Sequence, residues 1–439
     1  MKLHICTLII VTGFLWSACS EKISQDSFDQ DTIEIPEELE CTNGMAEGTY
    51  PCENIDMLAH VSVDELLGEP LDNGLVVNDI WGWTDPDTEK EYALVGLNDG
   101  VTFVDISTPT DPVVIGKLKE PESVAQKTDL RTSFAEMYHE GKSSWRDVKV
   151  YDNHIYVVSD GQPHGLQIFD LTKLRGVNNP PEIFTEDVHY TAFGNAHNIA
   201  INEETGFAYV VGSDTYGGGL HIIDINNPSD PQFAGFHSDS TVGLNETGYV
   251  HDTQCVNYQG PDTDYQGDQI CLNSSETHLV IADVTIKEFT RTIAKATYQG
   301  NRYAHQGWLT EDHRYFLLDD EFDEMHSGGN TSTYIWDVQD LDNPELIGTY
   351  EAPTTSIDHN QYVNGNYVFQ SNYTAGLRIL DLENIKDGQL EELAYFDTYP
   401  NNNATGYNGS WSNYPFFESG VIAVGDISKG LYLLYPQLD

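Results

Sequence analysis

The chain has 439 residues, of which 71 are Asp or Glu and only 20 are Lys or Arg, so its formal net charge is −51. So large a negative charge argues against binding to nucleic acid or to an anionic membrane surface through the protein's own charge. It is typical of an exported protein, because an acidic surface stays soluble in salty water.

The N-terminus, MKLHICTLIIVTGFLWSACSEK, predicts a signal peptide over residues 1–18, because one lysine precedes an apolar run too short to span a membrane. Small residues before Cys19 resemble a bacterial lipoprotein signal, in which that cysteine is lipidated and becomes the N-terminus. Trp16 departs from the aliphatic residue usual at its position, so a plain cleaved signal is the alternative. We therefore expect a lipoprotein of the cell envelope or outer surface, or an extracellular protein if Cys19 carries no lipid.

Residues 19–53 are mostly polar and acidic, which predicts a flexible tether ending in a short disulfide loop. No later segment has 18 consecutive apolar residues, so the membrane is expected to be reached only through the N-terminal lipid. Of the six cysteines, Cys6 lies in the signal and Cys19 directly after it. The even remainder in an exported chain predicts two local disulfides, Cys41–Cys52 and Cys255–Cys271.

A repeated pattern runs through the rest of the chain. Seven stretches share a small or polar first residue, four largely apolar positions and, in six of them, an aspartate followed by an aliphatic residue. They are GVTFVDISTP (100–109), GLQIFDLTKL (165–174), GLHIIDINNP (219–228), HLVIADVTIK (278–287), TYIWDVQDL (333–341), GLRILDLENI (376–385) and GLYLLYP (430–436). Two further apolar runs precede each stretch and a third follows several of them, with Gly, Asn, Asp and Pro turns between.

Four strands per unit at a spacing of about 50 residues predict an all-β fold, a seven-bladed β-propeller over residues 54–439. The last unit ends at its third strand, and MLAHVSV (57–63) is the expected source of the missing outer strand. A propeller closed by this N-terminal strand leaves no exposed edge in its last blade. An open solenoid of seven partial units is the alternative, which the N-terminal strand disfavours.

Longer motifs carry a resemblance to known proteins. They are SWRDVKVYDNHIYVVSD, AHNIAINEETGFAYVVGS, HDTQCVNYQGPD, AHQGWLTEDHRYFLLDDE, SIDHNQYVNGNYVFQSNY and WSNYPFFESG. The units resemble the LVIVD repeat, and residues 54–439 as a whole resemble the bacterial choice-of-anchor B family. The resemblance implies a secreted or surface-anchored propeller whose anchoring device varies between members, which suits a lipid at Cys19. It implies no activity that transfers to particular residues.

Equivalent positions at the start of each blade predict a ring of side chains around the central channel, because the first strand of each propeller blade lines that channel. The histidines of this ring recur at equal intervals of 54 residues. The seven predicted positions are Asn78, Arg146, His197, His251, His305, His359 and Trp411.

Two interpretations of His197, His251, His305 and His359 remain open. Neutral imidazoles suit zinc, copper, iron or nickel, and a metal here would favour a hydrolase or lyase with Arg146 orienting an anionic substrate. The regular spacing instead favours a structural role, in which each histidine and the polar residue after it tie neighbouring blades together. Catalysis usually breaks such symmetry because its residues take different roles. Arg146 itself disfavours a bound cation and favours an anionic ligand.

Two acidic loops are candidates for Ca²⁺, which prefers oxygen ligands. The first, 261–269, offers Asp262, Asp264 and Asp268, and the second, 318–329, offers Asp319, Asp320, Glu321, Asp323 and Glu324. Neither matches the spacing of an EF-hand, and solvated loops are the default in so acidic a chain. The second loop follows the His305 strand, and we treat it as separate from the histidines.

The long insertion at 119–144 predicts either a lid over one channel mouth or a plain linker. The sequence contains no G-x-S-x-G, H-E-x-x-H or phosphate-binding glycine loop. It therefore favours a monomeric binding or scaffolding module for a protein, a glycan or a small anionic ligand, without an assigned catalytic residue. The metal-dependent hydrolase or lyase is the alternative, and Ca²⁺ or a transition metal is the cofactor that the residues would suit.

Overall fold

The computed structural model describes residues 33–70, 76–121, 143, 145–161 and 163–438. In these parts of the chain β-strands dominate, and the two α-helices, α1 (Val63–Leu67) and α2 (Asp323–Ser327), have five residues each. None of the described helices has the length and apolar character needed to cross a membrane.

Seven four-stranded antiparallel units make up the fold. Three strands precede them: β1 (Met45–Ala46), β2 (Tyr50–Glu53) and β3 (Ile55–Ser62). Blade 1 contains β4 (Val77–Thr84), β5 (Glu91–Leu97), β6 (Gly100–Asp105) and β7 (Val113–Lys119). Blade 2 contains β8 (Arg146–Tyr151), β9 (His154–Ser159), β10 (Leu166–Asp170) and, after β11 (Glu182–Phe184), β12 (Val188–Tyr190).

The middle blades are the most regular. Blade 3 contains β13 (Asn198–Asn202), β14 (Phe207–Val211), β15 (Leu220–Asp224) and β16 (Gln232–His237). Blade 4 contains β17 (Asp252–Asn257), β18 (Gln269–Ser274), β19 (Leu279–Asp283) and β20 (Arg291–Ala296). Blade 5 contains β21 (Ala304–Leu309), β22 (Tyr315–Asp320), β23 (Ser332–Asp337) and β24 (Glu345–Glu351).

The last two blades complete the ring. Blade 6 contains β25 (Gln361–Asn364), β26 (Tyr367–Ser371), β27 (Leu377–Asp381) and β28 (Glu391–Phe396). Blade 7 contains β29 (Ser410–Tyr414), β30 (Ile422–Asp426), β31 (Gly430–Pro436) and the N-terminal β3. The first strands of successive blades pack against one another in order, and β29 packs against β4, so the ring is closed.

The predicted seven-bladed propeller and its closure by the N-terminal strand are therefore confirmed. Strand β3 pairs antiparallel with β31 from Ile55 opposite Pro436 to Ser62 opposite Gly430. Two strands add to outer edges: β2 pairs with β28 of blade 6, and β11 runs parallel to β7 of blade 1. Both predicted disulfides, Cys41–Cys52 and Cys255–Cys271, are also present.

The core is divided among the seams between blades. One cluster joins Leu272 of blade 4 to Phe316 of blade 5, and another joins Phe396 of blade 6 to Leu434 of blade 7. The second strand of a blade is covered by neighbours on both faces, so it is buried along almost its whole length and not on one face only. All seven residues of β5 are buried for this reason.

The repeated aspartate explains how each unit ends its third strand. In six units its carboxylate accepts the backbone N–H two residues later, at 2.8–3.0 Å. These aspartates are Asp105, Asp170, Asp224, Asp283, Asp337 and Asp381. Such Asx turns fix the direction of the chain as it leaves the strand. The motif that makes the repeat visible is thus a turn signal and not a binding site.

Candidate functional site

The predicted ring lies where the first strands of the blades meet. Between ring centroids, the imidazole of His251 lies 4.3 Å from that of His197 and 4.2 Å from that of His305, which in turn lies 4.4 Å from His359. The indole of Trp411 continues the row at 4.7 Å from His359. The structure thus brings five of the seven ring positions into one row of aromatic side chains.

Two of the imidazoles are oriented by carbonyl groups of the next blade. His251 Nδ1 donates to the carbonyl oxygen of His305 at 3.0 Å, and His359 Nδ1 donates to that of Trp411 at 2.5 Å. Since a carbonyl only accepts, the proton is fixed on Nδ1 and a neutral ring carries its lone pair on Nε2. Burial and the neighbouring imidazoles hold the pKa of both His251 and His359 well below the ordinary value, so both rings are neutral at pH 7.

The other two imidazoles are oriented by carboxylates. His197 Nδ1 lies 3.0 Å from Asp160 Oδ2, and His305 Nδ1 lies 3.1 Å from Asp319 Oδ2. Burial lowers the pKa of His305, whereas Asp160 overcomes burial and raises the pKa of His197. All four rings are therefore bonded through Nδ1, and the row is not electrostatically uniform.

The polar residues after the histidines also tie blades together, as the structural interpretation expects. Asn198 Nδ2 donates to the His251 carbonyl at 3.0 Å, and Gln306 Nε2 donates to the Gln361 carbonyl at 3.0 Å. Asn360 Nδ2 lies 3.2 Å from Ser412 Oγ in blade 7. Asp252 differs, because its carboxyl lines a cavity and burial raises its pKa to about 6.

The other two ring positions, Asn78 and Arg146, are buried at the start of blades 1 and 2. The Arg146 guanidinium is occupied by protein groups: Nε donates to the Leu97 carbonyl at 2.9 Å and Nη2 to Glu120 Oε1 at 2.7 Å, while Nη1 lies 2.8 Å from His164 Nε2. The expectation that Arg146 presents a charge to an anionic ligand therefore has no support in the geometry. Its charge is paired with Glu120.

The acidic loop after β22 belongs with the histidines and not apart from them. Ala304 pairs with Asp320 across β21 and β22, which places the end of β22 beside His305. Asp319 lies 3.1 Å from His305 Nδ1, and Glu321, two residues later, brings a carboxylate oxygen to 3.8 Å from His359 Nε2. Our separation of this loop from the histidine row was wrong, because the antiparallel register folds the loop back onto the channel.

Five carboxyl groups are buried together. They are Asp319, Asp320, Asp323 and Glu324 of this loop and Asp358 of blade 6. Asp320 is satisfied by protein donors, with Tyr298 Oη and the Arg302 N–H each at 2.7 Å, so its oxygens are not available to Ca²⁺. Asp323 keeps one oxygen bonded to Tyr334 Oη at 2.7 Å. Among the described residues, no N–H or O–H donor is found for either oxygen of Glu324 or of Asp358, although a protonated Glu324 can hydrogen-bond Asp323. Burial and Asp323 raise the pKa of Glu324 to about 10.

The first calcium candidate loop is arranged differently from its prediction. Asp262 accepts the N–H of Asp264 at 3.1 Å and that of Leu341 at 3.0 Å, which docks the loop on blade 5. Its carboxylate lies near those of Asp340 and Asp342, both exposed. Asp264 is exposed, and Asp268 is half-buried at the end of the loop. The structure thus keeps Asp262 in an acidic group but not its two predicted partners.

A cavity of about 450 Å³ occupies the channel along the length of the first strands. Its lining combines aromatic rings, amides and carboxylates from most of the blades. The principal lining residues are Trp81, Lys149, Asn198, Glu203, Glu204, Asp252, Gln306, Trp308, Glu311, His313, Asn360, Tyr362, Tyr414 and Phe416. The volume lies within the range usual for small-ligand pockets.

The aromatic wall of the cavity is packed edge to face. Trp81 lies 5.1 Å from Tyr414 and 5.7 Å from Tyr362, and Trp308 lies 5.0 Å from Tyr362 between ring centroids. Such packing holds the rings in place, so the wall is formed before a ligand arrives. Phe416 continues the wall at 5.3 Å from Tyr414.

Lys149 is the one lysine in the described lining of the cavity, and nearby carboxylates neutralise its charge. Lys149 Nζ lies 3.0 Å from Asp79 Oδ2 and 2.5 Å from Asp147 Oδ1, and 4.5 Å from the centroid of Trp81. Although burial opposes its charge, the two carboxylates raise the pKa of Lys149 well above the ordinary value. Because Lys149 is paired, the net charge of the lining comes from acids such as Glu203, Glu204 and Glu311 and is negative.

Two predictions fall outside the described residues. These are the signal peptide at 1–18 with lipidation at Cys19, and the lid or linker at 119–144, of which only 119–121 and 143 are described. Both stay predictions.

The protein is a seven-bladed β-propeller, because seven four-stranded blades form a closed ring. Its channel holds a cavity of the size of a small ligand. The LVIVD repeat family model matches residues 89–119 in blade 1 and 193–238 in blade 3. The chain therefore carries LVIVD repeats. A search of curated proteins gives no match.

Solved structures agree on the fold. The β-propeller domain of Cps50 (Swd1) from Myceliophteria thermophila superposes with a TM-score of 0.50 at 13% identity, covering 86% of this chain and 99% of that one. Hydrazine synthase from Kuenenia stuttgartiensis superposes with a TM-score of 0.54 at 13% identity, covering 85% of this chain and 99% of that one. At such identity the likeness shows the propeller architecture alone.

Sequence reasoning missed two parts of the channel. Glu321 was not assigned to the ring, although the antiparallel register of YFLLDD against AHQGWL would have placed it beside His305. The aromatic wall of the cavity gave no comparable signal. Trp81 and Trp308 come from blades 1 and 5, and only the closed ring brings them to Tyr362.

Proposed function

We propose that the protein is an exported binding module whose channel cavity takes a donor-rich, non-anionic group. The preformed lining of aromatic rings and carboxylates carries this proposal. The fold alone does not choose between binding proteins and enzymes, because propellers host both. The cavity favours binding, since it offers faces and hydrogen-bond acceptors from several blades at once.

The charge of the lining selects the class of ligand. Glu203, Glu204 and Glu311 are unfavourable to an anion, and the one cation, Lys149, is already paired with Asp79 and Asp147. Carboxylates and amides accept hydrogen bonds from hydroxyl or ammonium groups, and aromatic faces attract either a sugar ring or a cation. Of the ligands that the sequence left open, a glycan therefore suits the cavity better than a small anion, and an amine suits it as well.

Export and anchoring form the second part of the proposal. Two disulfides in the described chain support an oxidising compartment outside the cytoplasm. The LVIVD repeats and the propeller support membership of the choice-of-anchor B family, with a lipid at Cys19 as the anchor. Metabolic labelling with an acyl probe tests the anchor: we expect label on the wild type and none on Cys19→Ala, and equal label on both would contradict it.

Calorimetric titration tests the cavity. The probes are a neutral oligosaccharide series, a polyamine and a sulfated oligosaccharide, each added to the wild type, Trp308→Ala, Glu311→Gln and Phe289→Ala. Phe289 is 80% exposed and lies outside the cavity, so its variant is the control.

We expect binding of the oligosaccharide or the polyamine, weakened by about tenfold or more in Trp308→Ala and unchanged in Phe289→Ala. A larger effect of Glu311→Gln on the polyamine than on the sugar would identify a cationic ligand. Binding of the sulfated probe alone, or affinities that Trp308→Ala leaves unchanged, would overturn the proposal.

A further inference from the structure

Three side chains at the histidine row converge in a way that the binding proposal does not use. His305, Glu321 and His359 each offer one ligand atom, and these atoms all lie within 4.8 Å of one another. One further group of this kind occurs in the described part of the chain, at Asp262, and its other two members are exposed. The group at the histidine row is instead enclosed, with His305 1% and His359 4% exposed.

Both imidazoles are oriented for coordination. Their Nδ1 atoms are bonded to the Asp319 carboxylate and to the Trp411 carbonyl. Metal-binding histidines are commonly held in this way, because a hydrogen bond at one nitrogen fixes the ring and increases the basicity of the other. A hydrogen bond at Nδ1 leaves Nε2 of the ring for an ion, and in His359 it is Nε2 that faces Glu321, so the structural and the metal interpretations do not exclude each other.

Glu321 is also held in place by the protein. Tyr373 Oη donates to Glu321 Oε1 at 2.8 Å, and Tyr373 is itself 1% exposed. The same oxygen lies 3.8 Å from His359 Nε2, a separation that an ion between the two atoms can bridge. The Glu321 side chain is only 12% exposed, so water solvates its carboxylate poorly and a bound cation would compensate for this loss.

We propose that His305, Glu321 and His359 bind a divalent transition-metal ion in the channel. Two imidazoles and one carboxylate suit zinc, iron, cobalt or nickel, whereas Ca²⁺ takes oxygen ligands alone. Three protein ligands leave at least one coordination position for water or an incoming ligand. The sequence predicted four histidine ligands. His197 and His251 belong to the row but not to this group, which has Glu321 as its third ligand instead.

Titration of the chelator-stripped protein with Co²⁺ and then Zn²⁺ tests the site. Co²⁺ bound by nitrogen and oxygen ligands gives visible absorption bands, and Zn²⁺ should displace it. We expect one equivalent to bind the wild type. Glu321→Gln keeps the shape of the side chain and removes a ligand. It should weaken binding by more than the roughly 10- to 100-fold that loss of an outer hydrogen-bond partner causes, which is the effect expected for Asp319→Asn.

Matched controls separate the site from its surroundings. His221→Gln alters an equally buried histidine whose two nitrogens contact Tyr190 and Thr215, and it should keep full affinity. Glu324→Gln replaces the carboxyl group of another buried glutamate of the same loop and should keep full affinity. Near-UV circular dichroism verifies that each variant folds. No binding by the wild type at millimolar metal would overturn the proposal. So would binding lost in Glu324→Gln and kept in Glu321→Gln, because the ion would then lie among the buried carboxylates.

Discussion

Lys149 is a buried ammonium shared by two buried carboxylates, Asp79 and Asp147. The two acids differ, because like charges on one cation push their pKa values apart. The pKa of Asp79 is lowered, whereas burial raises that of Asp147. Lys149→Met keeps the length of the side chain and removes its charge. We expect it to lower the free energy of unfolding by about 3–5 kcal/mol at pH 7, measured by urea denaturation, because the carboxylates lose their counter-ion.

An exposed ion pair supplies the control for this variant. Lys90 Nζ lies 2.7 Å from Asp105 Oδ2, but its side chain is 50% exposed. Lys90→Met should therefore cost at most about 1 kcal/mol. The loss in Lys149→Met should also shrink as the pH falls toward 4, because burial raises the pKa of both acids once Lys149 is gone and the variant can then protonate them. If Lys149→Met and Lys90→Met lose the same free energy of unfolding, and the loss does not change with pH, the buried ion pair does not stabilise the fold as we predict.

The buried Glu324 predicts that the protein loses stability as the pH rises. Its pKa in the folded protein is raised to about 10, while the unfolded chain releases this proton near pH 4.5. The folded state therefore holds more protons between these values, and stability falls with pH across that window. With chelator present, we expect the stability of Glu324→Gln to depend less on pH than that of the wild type. At pH 9 the free energy of unfolding of the variant should exceed that of the wild type by on the order of 1–3 kcal/mol.

Urea midpoints at pH 5, 7 and 9 measure this effect. Glu345→Gln is the control, because Glu345 is an exposed acid on the outer strand of the same blade. It should keep the pH dependence of the wild type. A Glu324→Gln variant with the same slope as the wild type would show that the Glu324 carboxyl is not the proton-binding group.

At the scale of elements, the N-terminal strand is the closure of the ring. It buries Ile55 and Met57 in a cluster with blades 6 and 7, also buries Leu58 and Val61, and covers the edge of β31. A chain that starts at Val63 loses these contacts, and burial of each such side chain is worth about 1.5 kcal/mol or more. We expect it to be less stable by about 6 kcal/mol or more and to self-associate through the exposed edge.

Scanning calorimetry and sedimentation velocity test this prediction. The control is a chain that starts at Ile35, which keeps the Cys41–Cys52 loop and all of β3. It should melt as the full-length protein does and remain unassociated. A chain that starts at Val63 with the melting temperature and sedimentation of this control would show that β3 is dispensable.

Elements that depend on local pattern could be predicted from the sequence. Turn residues and apolar runs specify the strands, and the missing outer strand of the last unit specifies the closure by 57–63. Equal intervals between the histidines place them in one row, because each blade repeats the same path. Cys255 and Cys271 face each other directly across β17 and β18, so their pairing follows from the hairpin.

The composition of the site depends on contacts between blades, which local pattern does not specify. Arg146 shares the register of the histidines, but its long side chain turns to Glu120 and Leu97 instead of the channel. Glu321 comes from the end of a second strand, and Asp358 reaches the buried carboxylates from another blade. The directions of the side chains in the assembled ring decide which acids converge. The sequence has 71 acids and does not reveal which of them do so.

At the scale of the whole molecule, a net charge of −51 predicts a stability that depends on salt. Folding brings these charges together, and their mutual repulsion opposes the compact state. The screening length falls from about 30 Å at 0.01 M salt to about 10 Å at 0.1 M. We expect the melting temperature to rise by about 5 °C or more between 0.01 M and 0.5 M NaCl, with most of the rise below about 0.2 M.

Sucrose separates screening from a general effect of added solute. It is uncharged and stabilises proteins by exclusion from their surface, so its effect should grow steadily with concentration and not saturate as that of NaCl does. NaCl should therefore act at concentrations where an equal osmolarity of sucrose changes little. A melting temperature that is flat in NaCl, or that follows osmolarity equally in both solutes, would mean that the acidic surface repels itself too weakly to affect folding.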